Sequence, residues 1–76
     1  MPALPVLSWK QVIKTLEKSG YKVVRQKGSH LRLLNPSKTL FPVTVPRHTV
    51  IGRGLLRKII SDANLTVEEF LLLLRK

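Results

Sequence analysis

The sequence contains no cysteine, which excludes both a disulfide framework and a thiolate-held zinc site. Packing must hold the chain together. Acidic residues are nearly as scarce: Glu17, Asp62, Glu68 and Glu69 stand against 14 Lys and Arg, and the net charge is +10. Two histidines and four scattered carboxylates give no spacing that a zinc or magnesium site requires, so no metal and no other cofactor is expected. No segment approaches the roughly 20 apolar residues that span a bilayer. The start, Met1-Pro2-Ala3-Leu4-Pro5, lacks the charged region and long apolar run of an export signal. The chain is therefore expected to be cytoplasmic, with no membrane partner.

What is present excludes disorder: 43% of residues are hydrophobic and 24% charged. Residues 1–76 are expected to form one small domain, which at this length buries only roughly 60 to 65% of its unfolded surface. The excess of cations calls for a polyanionic partner, with RNA, DNA, an acidic protein or an anionic surface as the classes to separate.

Residues 1–7 carry two prolines and no periodicity, and read as an extended lead-in. Ser8-Trp9-Lys10-Gln11 has capping-box spacing, and Trp9, Val12, Ile13 and Leu16 then form one apolar stripe, so a helix is predicted, ended by Gly20. Tyr21–Gln26 and Ser29–Leu34 read as two antiparallel strands joined through Lys27-Gly28. In the second, Leu31 and Leu33 share one face and His30 and Arg32 the other, because side chains alternate along a strand. After the turn residues Asn35-Pro36-Ser37-Lys38 comes a third strand, in which Phe41, Val43 and Val45 alternate with Pro42, Thr44 and Pro46. Its prolines place it at an edge or in a bulge.

Arg47 to Gly54 reads as a basic, glycine-punctuated loop before a helix carrying Leu55, Leu56, Ile59, Ile60 and Ala63, with Asn64 as its left-handed end. The free amides at that helix start would attract phosphate. Thr66 and Glu69 then form a second capping box, with Leu65 and Phe70 as a hydrophobic staple. The last helix holds Val67, Phe70, Leu71 and Leu74 on one side. Leu72 and Leu73 leave that stripe and mark a second contact surface, for a partner or for homo-oligomerisation. The fold class is α+β: helix, three-stranded antiparallel sheet, helix, short C-terminal helix, with helices on one face of the sheet and the other face polar and basic.

His30 is the candidate for proton transfer, since an unperturbed imidazole titrates at about 6.5. Ser29 adjoins it in sequence and points to the opposite face, so a serine triad has no support. Metal-free RNA cleavage needs less, because the substrate's 2′-hydroxyl is the nucleophile. A histidine moves the proton, contributing on the order of 10² to 10⁴-fold, and Lys or Arg stabilises the charge building on the phosphorane. His30 with Lys27 and Arg32 meets that minimum, and Gly28 and Ser29 complete the loop beside it. Lys22, Arg25, Lys27, Arg32, Arg47 and Arg53 are candidate RNA contacts, and His48 a candidate phosphate contact. The alternatives are a hydrogen-bonded or solvated histidine on a solvated basic face, a non-catalytic RNA-binding module, and a protein-interaction domain built on Leu72 and Leu73.

From Ser8 to about Leu74 the chain resembles the HicA toxins, small messenger-RNA interferases of HicA/HicB toxin-antitoxin pairs. The resemblance lies in the opening helix ending in Gly20-Tyr21, in Gly28-Ser29-His30, in Val45-Pro46-Arg47-His48, and in Gly54-Leu55-Leu56-Arg57-Lys58-Ile59-Ile60 followed by Leu65-Thr66-Val67-Glu68-Glu69-Phe70. It implies a fold like that of double-stranded-RNA-binding domains, ribosome-independent cleavage of messenger RNA, a catalytic histidine at His30, and a HicB antitoxin that covers the catalytic face. Many relatives carry an acidic residue between the positions of His48 and Leu55. Here Thr49-Val50-Ile51-Gly52-Arg53-Gly54 has none, which leaves that loop to tune substrate or partner choice.

Overall fold

Ser8 starts the first helix as its spacing predicts. In a computed structural model that describes residues 3–76, helix α1 spans Trp9–Lys18, with the Ser8 amide donating to Gln11 Oε1 at 2.9 Å and the Gln11 amide to Ser8 Oγ at 3.4 Å. Met1 and Pro2, the start of the expected lead-in, lie outside the described residues. Val12, Ile13 and Leu16 are buried, and Trp9 packs half-buried at the margin of the core. The helix ends in a Schellman motif: Gly20 has φ +101°, its amide donates to the Glu17 carbonyl at 3.0 Å, and the Tyr21 amide donates to the Leu16 carbonyl at 3.2 Å. A Cβ at Gly20 would also lie 2.9 Å from Asn35 Nδ2, which donates to the Ser19 carbonyl. Two constraints therefore select glycine there.

Three strands follow, β1 (Lys22–Lys27), β2 (His30–Asn35) and β3 (Thr39–Pro46), antiparallel in the order β1-β2-β3. Gly28, φ +59°, takes the first place of the two-residue turn Gly28-Ser29, where a type II′ hairpin needs a positive φ. Leu31, Leu33, Val43 and Val45 are buried beneath the helices, and His30, Arg32 and Thr44 lie exposed on the opposite face. β3 is at an edge and is bulged, as its prolines require. Between the pairs Leu33↔Val43 and Asn35↔Thr39, residues 40–42 of β3 oppose Leu34 alone. That irregularity corrects the expectation for Phe41, which leaves the apolar face of Val43 and Val45 and is 77% exposed.

Helix α2 spans Arg53–Asp62, so Arg53 and Gly54 belong to the helix and not to the preceding loop. The extended Gly52 backbone can open it without a side-chain cap. Leu56, Ile59 and Ile60 are buried, and Asn64 at φ +57° closes it as expected, the Leu65 amide donating to the Ile60 carbonyl at 3.1 Å. Helix α3 (Val67–Leu74) begins at the Thr66–Glu69 capping box, with bonds of 2.8 and 3.0 Å. The Thr66 amide, then its hydroxyl, hold the Glu69 carboxyl below the usual carboxylate range. Leu65 and Phe70 are both buried. Leu73 corrects the expected second surface: it packs half-buried against the core, and only Leu72 of that pair is open, at 63%.

The lead-in does more than connect. Leu4 and Leu7 are buried, Leu7 and Ile51 pair through their backbones, and Arg53 Nε donates to the Leu4 carbonyl at 2.7 Å. Tyr21, also buried, donates its hydroxyl to the Ala63 carbonyl at 2.8 Å, and burial pushes its phenol up from the ordinary value. The architecture is α+β, in the element order expected of a double-stranded-RNA-binding-like domain, with the helices on one face of the sheet.

Candidate functional site

The helix-free face of the sheet carries the site. Side chains opposite one another in an antiparallel pair share a face, and the register sets Lys27 against His30, Arg25 against Arg32, and Arg32 against Thr44. Arg25, Lys27, Gly28, Ser29, His30, Arg32 and Thr44 line one open groove of about 610 Å³. Backbone contacts fix its closed end: Lys27 and His30 flank the turn, and the Arg47 amide donates to the Ser29 carbonyl at 2.7 Å, tying the turn to the end of β3. The imidazole thus shares one groove with three cations.

Those cations have no internal counter-ions. Among the described residues the only ion pair is Lys58–Asp62, 2.9 Å apart on the exposed side of α2. The field of Arg25, Lys27 and Arg32 is therefore directed outward, where a phosphate chain would meet it. Among the described residues no three His, Asp or Glu side chains are grouped as metal ligands.

Of the residues singled out in the sequence, His30, Lys27, Gly28, Ser29, Arg25 and Arg32 converge on this groove; Ser29 sits in the turn rather than on the strand, so it lines the same groove as His30 and not the opposite face expected of it. Lys22 does not line it. A bulge at Val24 puts Lys22 opposite Leu34, on the same face but two rungs further along. Arg47 and His48 lie past the end of β3 instead: the Arg47 guanidinium stacks 4.9 Å from the centroid of the Trp9 ring, and the His48 carbonyl accepts the Trp9 amide at 3.2 Å. Arg53 is at the first turn of α2, bonded to Leu4. Thr44 was not among the sequence candidates, although its alternation with Val43 and Val45 already set it on the polar face.

The sequence pattern of the HicA toxin of bacterial toxin–antitoxin systems matches residues 9–65 of this 76-residue chain. The chain belongs to the HicA toxin family. No curated protein and no solved structure matches it significantly. Every groove residue of this HicA toxin falls inside the matched span, whereas α3 lies beyond it. Membership assigns a toxin role in a toxin–antitoxin system, and no helix among the described residues is long and apolar enough to cross a membrane.

Proposed function

We propose that this HicA toxin is a metal-independent endoribonuclease that cleaves messenger RNA, with His30 as general acid or base, and that a HicB antitoxin neutralises it. The observation that carries this reading is the gathering of His30, Arg25, Lys27 and Arg32 around one groove on the open face of the sheet. In the reaction the substrate's 2′-oxygen bonds to the adjacent phosphorus and the bond to the 5′-oxygen breaks. One proton leaves the 2′-hydroxyl and one reaches the departing 5′-oxygen, giving a 2′,3′-cyclic phosphate and a free 5′-hydroxyl. His30 handles one of these transfers. Lys27 and Arg32 offset the charge that accumulates on the phosphorane, and Arg25 holds a neighbouring phosphate. DNA has no 2′-hydroxyl and is bound without being cut.

The test is His30→Ala on a defined transcript in the presence of a chelator. Cleavage is expected to fall on the order of 10² to 10⁴-fold with RNA binding retained. Cleavage persisting at the wild-type rate would remove His30 from this role. Binding without any cyclic-phosphate product from the wild-type chain would leave the groove as an RNA-binding surface only.

A further inference from the structure

The two edges of the sheet are built differently. Along β3, Pro42 and Pro46 have no amide to offer, so that edge is poorly suited to receive another strand. β1 has no proline, all six of its residues are exposed, and it rests mainly on β2, with no helix packed extensively against it. Such an edge offers unpaired backbone amides and carbonyls to an extended chain. Val24, which the ladder skips at its bulge, is 56% exposed, and Val23 beside it is exposed as well. Apolar side chains beside a free edge favour a polypeptide strand over RNA.

Charge selects which polypeptide. Lys22, Arg25 and Lys27 make up half of β1. A second copy pairing antiparallel across a two-fold axis would bring cations against cations, which destabilises cross-strand pairs. We propose that the free edge of β1 takes up an extended acidic segment of a partner protein as a fourth strand. This deepens the antitoxin part of the proposed function and rests on it. A strand added there lies along the Arg25 and Lys27 wall of the groove, so its carboxylates compete with RNA phosphate for the same cations.

The probe is an acetylated, amidated peptide of eight alternating Glu and Val residues, titrated into the full ¹⁵N-labelled chain. Amide shifts are expected to concentrate in residues 22–27, and Val24→Glu to weaken binding about tenfold by like-charge repulsion. Val24→Lys, which keeps the sign of the edge, should weaken it less. RNA cleavage by both variants should persist, since Val24 is exposed and outside the groove. The proposal is overturned by shifts centred on α3, by a Lys/Val peptide that binds equally well, by unchanged affinity in Val24→Glu, or by an RNA oligonucleotide that perturbs Val23 and Val24 more than the peptide does. Cleavage is scored separately. Its absence from the wild-type chain removes the endoribonuclease reading, whereas peptide binding elsewhere with cleavage intact removes only the edge.

Discussion

The two faces of β2 differ by a single step along the chain. Leu31 and Leu33 are sealed beneath the helices, while His30 and Arg32 stand in the open groove. One alternation thus separates what holds the molecule together from what is assigned its chemistry. Neighbouring substitutions should then fail in opposite ways. The largest effect expected is that of His30→Ala, a 10² to 10⁴-fold loss of cleavage on the order given above, with an unchanged melting temperature. If melting falls as well, the two faces are coupled and the division is false.

Leu33→Ala should do the reverse. A fully buried leucine replaced by alanine costs about 2 to 5 kcal/mol, read as a lower midpoint in denaturant, and in a chain of this size that is a large share of the total. Whatever fraction stays folded should cleave at the normal rate.

Tyr21→Phe sharpens the comparison from the core side. It deletes the bond to the Ala63 carbonyl and should cost about 1 kcal/mol at neutral pH. The folded-state phenol titrates above its ordinary value, so its contribution is fully present below about pH 10 and is lost as pH rises through the folded value. Alkaline unfolding curves of wild type and Tyr21→Phe should therefore converge. Parallel curves would show that the buried hydroxyl does not govern that limb.

Arg25→Gln should have the smallest effect, and on the open face only. RNA affinity drops a few-fold, and the slope of log affinity against log salt becomes shallower by about 0.7 on single strands, the signature of one lost phosphate contact. An unchanged slope would mean that Arg25 does not touch the backbone.

Local chemistry made most of the framework legible. Both capping boxes, the left-handed Gly20 and Asn64, and the opposed faces of β2 follow from side chains acting within a few residues of themselves. Pairing between strands was harder to read. The bulge at Val24 puts Lys22 on the same face as Arg25 and Lys27, against simple parity, and the three residues opposite Leu34 expel Phe41 from the core side. Neither insertion has a local marker beyond Pro42. The convergence of Arg25 on His30 depends on that register, so the candidate groove was readable residue by residue on β2 but not across to β1. The half-buried state of Leu73 likewise depends on where α3 docks against the rest of the chain, which helical periodicity does not state.

The strap formed by Leu4 and Leu7 sets an order on assembly. These residues are synthesised well before their partners, the Leu4 carbonyl and Arg53 being separated by 49 positions. A nascent chain emerging from the ribosome must hold two leucines in waiting until Ile51 and Arg53 arrive. The strap's own contacts therefore have to wait until residues 51–53 have followed the sheet that bears His30 out of the ribosome.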